Sequence, residues 1–417
     1  MTKQVLIIGG GFAGINAARA LGDAPNVTVT IVDRQNHHLF QPLLYQVAMA
    51  GLSPADIAAP IRSMLAGFEN VRVLQGEATR IDGEQRFVEF DFGTLDYDYL
   101  IVACGASHSY FGNDDWEPFA PGLKTVAQAT EIRRRVLAAF EAAERTDDVD
   151  EQKRQLTFAV VGGGPTGVEL AGAIGEMSRF TLAKDFKRIN PRLTRVILVE
   201  AGPRILPMFS EQSASRAMRD LEKLGVQIWT STKVSHVDDE GVVMGDEKLL
   251  AATVLWAAGN EATQLEWTTP VETDSRGRLI VAPDLSLPNL TSVFAAGDQS
   301  SFTHQTDRPL PGTAPVAMQQ GRFIGQTILH DIAGKPREKF HFVDKGQMAT
   351  IGRSRAVVEV GKFRFAGWFA WITWLVVHIF YLTGFKNRFF VVLSWAWSYL
   401  NFRRGARLIV EKQWQRE

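Results

Sequence analysis

Two glycine clusters, each followed by an acid, have the spacing that points most directly to chemistry. Gly9-x-Gly11-x-x-Gly14 follows the apolar run 5–8 and opens an alanine-rich helical pattern; the β-rich run 28–33 then ends on Asp33. The pattern recurs: run 158–161 leads into Gly162-x-Gly164-x-x-Gly167, and run 195–200 ends on Glu200. The chemistry such a series supports is the holding of a dinucleotide. The first glycine makes a tight turn, the second lets backbone approach a pyrophosphate, and the third lets the helix pack close to its sheet. The helix N-terminus offers unpaired N–H groups and the positive end of its dipole. The acid accepts hydrogen bonds from the adenosine ribose. In the second cluster the acid comes later than the usual ~20 residues, and the intervening stretch 177–193 predicts an extended helix and a loop. Glu200 suits the free 2′-hydroxyl of NADH and repels the 2′-phosphate of NADPH, a preference that nearby Arg204 softens.

Two dinucleotide sites in one chain predict a flavoprotein, with FAD held permanently at the first and NADH visiting the second. A late apolar run entering Gly297-Asp298 fits a return to the FAD fold, and the runs 99–106 and 254–260 read as the crossover strands that end each nucleotide fold. The expected class is α/β, with two Rossmann-like domains and a C-terminal α-helical membrane-anchoring module. The expected domains are 1–120 (FAD, first part), 121–155 (helix and linker), 156–270 (NADH), 271–335 (FAD, second part) and 336–417 (hydrophobic C-terminal helices). The charged stretch 144–155 is expected to be the linker.

Composition excludes several alternatives. A formal net charge of −1 over 417 residues gives no reason to expect a nucleic-acid partner. The single cysteine, Cys104, rules out a dithiol pair, an intrachain disulfide and a thiolate zinc site; with no Lys or Arg beside it, it reads as a small buried residue. The histidines show no paired spacing, so no metal site is expected. The N-terminus lacks signal-peptide architecture, so export is not expected.

Three stretches carry a more specific likeness: NHHLFQPLLYQVA at 36–48, the long segment 108–144, and PGTAPVAMQQGR at 311–322. With the two fingerprints in order around them, the chain resembles the type II NADH:quinone oxidoreductases along essentially its whole length. The resemblance implies a respiratory dehydrogenase that does not pump protons and that passes electrons from NADH through FAD to membrane quinone. It implies FAD contacts at Gly9, Gly11, Gly14, Asp33, Pro42, Leu43, Ala78, Asp298 and Ala314. It implies NADH contacts at Gly162, Gly164, Gly167 and Glu200. Pro165, Thr166 and Ala258 are expected to shape the nicotinamide pocket. In the family the glutamate of this GGGPTGVE segment, Glu169, stands between nicotinamide, flavin and quinone; it is the expected titratable group, although an acid in a first helical turn is also stabilised by the dipole alone. The family's Ala-Gln-x-Ala-x-Gln quinone motif reads Ala314-Pro315-Val316-Ala317-Met318-Gln319 here. Pro315 therefore forfeits one amide, and Gln319 is left as either the polar quinone contact or a partly buried helix residue.

Two apolar stretches near the C-terminus, 369–383 and 389–400, are too short to cross a ~30 Å hydrocarbon core as regular helices. They are expected to lie in the surface of the inner membrane on its cytoplasmic side, with Trp368, Trp371, Trp374, Trp395 and Trp397 at headgroup depth. Lys386 and Arg388 between them, and Arg403, Arg404 and Arg407 after them, are expected to meet anionic lipid. Packing as ordinary core, a homodimer interface and a transmembrane hairpin are the alternatives. Two other functions stay open: a soluble reductase of a protein acceptor, and a flavin-bound NADH sensor.

Overall fold

In the computed structural model the described residues are 2–382, 385–401 and 406–410. They form two compact units: Met1–Leu39 with Ala58–Ser107 and Asn260–Asp344, and Phe40–Ile57 with His108–Gly259 and Lys345–Glu417.

The first unit is built on a six-stranded sheet in the order Ser286–Leu287, Leu290–Ala295, Tyr99–Val102, Lys3–Ile8, Val27–Asp33, Val71–Gln75. Strand Lys3–Ile8 pairs in parallel with Val27–Asp33 (Ile8↔Val32) and with Tyr99–Val102 (Ile8↔Val102). Only Ser286–Leu287 at one edge runs antiparallel. Helices Phe12–Leu21 and Ala314–Ile332 pack closely because small residues face each other: a Cβ on Gly321 would come within 2.1 Å of the Ala13 carbonyl oxygen.

The second unit repeats the plan with four parallel strands in the order Val226–Trp229, Arg195–Val199, Thr157–Val161, Thr253–Trp256. Thr157–Val161 and Thr253–Trp256 are buried at every position, as parallel strands covered on both faces must be. Helix Pro165–Glu176 runs into a π-turn, Met177–Thr181, and then a loop, matching the reading of 177–193. The charged stretch expected as a linker is instead ordered structure. Helix Val126–Arg145 begins in a Thr125/Gln128 capping box, and Asp148 caps a further helix, Val149–Gln155. Glu144 accepts the N–H groups of Lys187, Arg188 and Ile189. Segment Phe40–Ile57, read as part of 1–120, belongs to this unit.

The unit ends in an antiparallel sheet of Gln347–Gly352, Arg355–Val360 and Phe363–Ala366, then helices Trp368–Tyr381 and Phe385–Asn401. Among the described residues no helix is long and apolar enough to cross a membrane. Several expectations for this region change. The Lys386-Asn387-Arg388 triplet lies in the first turn of the second helix, not between helices. The Arg388 guanidinium donates to the Phe380 and Leu382 carbonyls at 2.8 and 2.7 Å, satisfying groups that the first helix leaves unpaired at its end. Arg407 pairs with Asp185. Arg403 and Arg404 lie outside the described residues, as does the side chain of Trp397. Trp374 is 1% exposed and stacked on His378, and Trp395 donates to the Gln46 side chain at 2.7 Å; of Trp368, Trp371, Trp374 and Trp395, Trp368 alone is exposed.

Candidate active site

The two glycine clusters fold into near-identical loops. Gly9 has φ 104° and Gly162 φ 110°, a region that only glycine adopts readily. A Cβ on Gly14 would sit 1.9 Å from the Gly9 carbonyl oxygen, and one on Gly167 1.8 Å from that of Gly162. At Gly11 and Gly164 an added Cβ meets nothing within 4 Å, so each loop leaves an open cradle beside bare backbone.

The acids brace these loops. Asp33 Oδ2 accepts the Gly10 N–H at 2.6 Å, and Glu200 Oε2 accepts the Gly163 N–H at 2.6 Å. Their second oxygens accept from Gln35 and Gly202. Burial raises the Asp33 carboxyl above its ordinary value, against the pull of the Gly10 and Gln35 N–H groups. The carbonyls of the same two peptides are also held. Gly10 O accepts from Nδ1 of buried His38 at 3.0 Å, while Gly163 O accepts from the Leu206 N–H at 2.7 Å. His38 packs its ring edge-on to Phe12 at 4.9 Å, and burial lowers its pKa, keeping the ring neutral. His38 and Leu206 were not foreseen; the NHHL segment was the available signal for the first.

The helices differ in how their N-termini are capped. Thr125 and Ser210 cap their helices with side chains, whereas Gly11, Gly164 and Thr313 cap none, and the helices behind them carry no acid in the first turn. These helix N-termini, like that of Trp368–Tyr381, have no side-chain cap, and at the two glycine loops the positive dipole end lies beside the open cradle. Pro165 and Thr166 open the second of these helices, and Ala314 and Pro315 the third. Pro315 sits where a missing N–H has no intrahelical partner to lose.

Other expected residues divide unevenly. Asp298 lies in the turn Gly297–Gln299, which buried Gln320 supports: its Oε1 accepts from Gly297 N at 2.7 Å and Ser300 Oγ at 3.1 Å. Gln320 Nε2 remains a buried donor with no hydrogen-bond partner among the described residues. Ala78 begins strand Ala78–Asp82. The backbone next to Gly9 belongs to Ala103 and Cys104, and that next to Gly162 to Ala257 and Ala258, so Cys104 and Ala258 are counterparts. Burial pushes the Cys104 thiol up to about 12, consistent with an inert residue. In the second unit, turn Gln41–Leu43 contains Pro42 and a Leu43 whose side chain is fully buried, leaving its backbone for contacts. Gln319 is a partly buried helix residue. Its amide is engaged at both ends by Val343, donating to the carbonyl and accepting from the N–H at 3.0 Å each, so the quinone contact expected of it requires breaking that pair.

Glu169 lies two residues beyond Gly167 and faces a cavity of about 110 Å³ within the second unit. Ala173 and Glu176 follow it on the wall at i+4 and i+7, one face of the helix. Tyr45, Gln46 and Met49 form another wall, strand residues Thr350–Arg353 a third, and Trp371, Trp374 and Trp395 a fourth. Burial pushes the Glu169 carboxyl up to about 8, and the opposing Thr350 N–H is too weak to hold it down. Neutral at pH 7, it can donate a proton as well as a hydrogen bond. The helical spacing of Glu169 and Glu176 was visible in the sequence; the tryptophan wall was not. A second cavity, about 340 Å³, lies beyond Glu200 and is lined by Pro203, Arg204, Ile205 and the helix Glu211–Lys223. Arg204 donates to the Pro207 carbonyl at 3.0 Å.

Comparison with known proteins agrees with this architecture. The pyridine nucleotide-disulphide oxidoreductase family matches residues 3–321, and the NDH2 C-terminal domain matches 345–404. The type II NADH:quinone oxidoreductase NdhA of Mycobacterium tuberculosis is 43% identical over 427 residues, spanning 98% of this chain and 90% of that protein. The type II NADH:quinone oxidoreductase of Staphylococcus aureus (strain NCTC 8325) is 31% identical over 361 residues, spanning 84% and 88%. The solved NDH2 of Plasmodium falciparum in complex with NADH shares the fold, with a TM-score of 0.89 at 21% identity over 99% of this chain and 100% of that one. Two bare, glycine-built nucleotide loops in one chain, followed by the family's own C-terminal domain, make this protein a member of the type II NADH:quinone oxidoreductases.

Proposed function

We propose that the chain carries its family's reaction, moving electrons from NADH through FAD to a membrane quinone, and that Glu169 supplies a proton to the quinone. FAD, when bound, takes the hydride and hands on the electrons. The chain's own residues bind, orient and protonate. We assign FAD to Gly9, Gly11, Gly14, Asp33, Ala78, Asp298 and Ala314, with the backbone of Pro42 and Leu43. We assign NADH to Gly162, Gly164, Pro165, Thr166, Gly167, Glu200 and Ala258. The open cradles, the uncapped helices and the unpartnered Gln320 Nε2 support this. The loop peptides are clamped at both ends before ligand arrives, so little ordering remains to oppose binding. Neither Gln319 nor Pro315 receives a quinone contact.

The observation that carries the proposal is the placement of Glu169: on the helix of the second fingerprint, facing a tryptophan-walled cavity, where burial raises its carboxyl to about 8. Reducing a quinone to a quinol consumes two protons, and a carboxyl poised near 8 is well matched to deliver one. Phe369, Val376 and Phe380 on one terminal helix and Phe389, Val392 and Leu393 on the other are exposed. We assign this surface to the cytoplasmic face of the inner membrane, in preference to a homodimer contact.

The test compares wild type and Glu169→Gln, FAD-loaded and in liposomes, with a long-chain quinone and with a soluble acceptor that takes electrons but no protons. The variant should lose about 100-fold or more in quinone turnover and keep its rate with the soluble acceptor. Wild-type quinone turnover should fall as pH rises through about 8. Equal losses with both acceptors would refute the assignment. Absence of any quinone dependence in wild type would favour a reductase of a soluble protein.

A further inference from the structure

The sequence places a one-signed charge pattern at the C-terminus. Residues 360–410 contain seven Lys and Arg and no Asp or Glu, in a chain whose net charge is −1. Two of these cations, Arg388 and Arg407, are engaged within the protein. Lys362 and Arg364 make no ion pair among the described residues. Both sit at the tip of the hairpin formed by Arg355–Val360 and Phe363–Ala366, which turns at Gly361 with φ 57°. Arg364 lies across from Glu359 in the ladder, but that carboxylate is occupied by the Ser210 N–H and the Gln347 amide at 3.0 Å each.

The cations alternate with aromatics. Phe363 is 76% exposed and pairs across the strands with exposed Val360, and Phe365 is exposed beside them. Gly367 (φ 83°) then turns the chain into helix Trp368–Tyr381, whose first residues, Trp368 and Phe369, are also exposed. The exposed apolar surface of the helix therefore continues in sequence into the hairpin tip. A second copy of the chain is a poor occupant, because edge-to-edge pairing of this strand would set Lys362 and Arg364 against their own kind.

We propose that the hairpin tip is a second membrane-contact element, in which Lys362 and Arg364 bind anionic lipid headgroups while Phe363 enters the acyl boundary. This rests on the membrane reading above and shifts part of its electrostatics away from Arg388. Each cation near a charged surface strengthens binding about fivefold.

The experiment is sedimentation of the FAD-loaded full chain with phosphatidylcholine vesicles, with and without phosphatidylglycerol. Lys362→Gln/Arg364→Gln should lower partitioning onto the anionic vesicles by about 25-fold, leave binding to neutral vesicles unchanged, and flatten the salt dependence. The charge-preserving Lys362→Arg/Arg364→Lys should bind as wild type. Phe363→Ser should weaken binding to both vesicle types. Turnover with a soluble acceptor confirms that each variant is folded. If the double variant binds anionic vesicles as wild type does, while Phe380→Ser on the helix loses binding, the hairpin proposal fails and the membrane reading stands. If wild type binds neither vesicle, the membrane reading itself fails. If Phe363→Ser instead breaks a dimer and leaves partitioning untouched, the tip is an interface between copies and the proposal is overturned.

Discussion

Replacing Glu169 with Gln should stabilise the protein at alkaline pH and leave its stability unchanged in mild acid. Burial lifts this carboxyl from its ordinary 4.5 to about 8. Between those values the folded protein holds a proton that the unfolded chain has released, so stability falls as pH rises through the window and levels off above about 8. The full displacement corresponds to roughly 5 kcal/mol against the charged form. The side chain faces a cavity and not solid packing, so screening should reduce this to about 2–3 kcal/mol. Gln has the same shape and no charge at any pH. Thermal unfolding of FAD-loaded wild type and variant, followed from pH 4.5 to 9, should show curves that coincide at the acid end. Above pH 8 the variant should melt higher. A gap that does not change with pH, or a wild type more stable at pH 9, would mean that Glu169 is ionised in the folded protein. The reasoning that makes it a proton donor would then fail.

The paired loops predict paired and separable defects. Gly14→Ala, whose Cβ would meet a carbonyl at 1.9 Å, should yield protein that has lost its flavin absorbance. Gly167→Ala should keep the flavin and raise KM for NADH at least tenfold. Gly11→Ala has room for its Cβ in the protein itself, so it should fold normally by circular dichroism yet fail to retain FAD; normal flavin content would refute the cradle. Glu200→Ser should narrow the preference for NADH over NADPH by about tenfold or more, measured as the ratio of kcat/KM values. Gln319→Ala should cost about 1–2 kcal/mol of stability by releasing the Val343 backbone and leave KM for quinone unchanged; a large rise in that KM would restore the residue to the quinone site.

The nucleotide folds were legible because their rules are local. A glycine that must adopt φ near 104°, a glycine whose Cβ would strike a carbonyl, and an acid at a strand end each declare themselves within a few residues. The clamps on Gly10 and Gly163 were less legible. One comes from a histidine in a neighbouring segment and the other from the backbone of Leu206, and a backbone N–H leaves no mark in a sequence. Gln319 shows the opposite limit. A motif identifies a residue type at a position, but only packing decides whether its amide is free, and here Val343 takes both ends. The stretch 144–155 reads as a linker from its charge, yet Asp148 at an N-cap and the Glu151–Arg154 pair are what a short surface helix needs.

The C-terminal tryptophans show why composition alone misdirects. Trp, with an apolar body and a single N–H, is as well suited to lining a cavity as to lying among lipid headgroups. On helix Trp368–Tyr381 the two uses separate by face. Trp371, Trp374 and Leu375 turn toward the cavity that holds Glu169, while Phe369, Val376 and Phe380 turn outward. A helix apolar all round is ordinarily buried all round, but this chain covers only the tryptophan side. The uncovered side carries no charged residue from Ala366 to Phe385, so water is an unfavourable neighbour and a lipid surface a favourable one. One helix thereby contributes its inner face to the wall beside Glu169 and, on the proposal above, its outer face to the membrane. The proposed site and the proposed anchor share these fourteen residues.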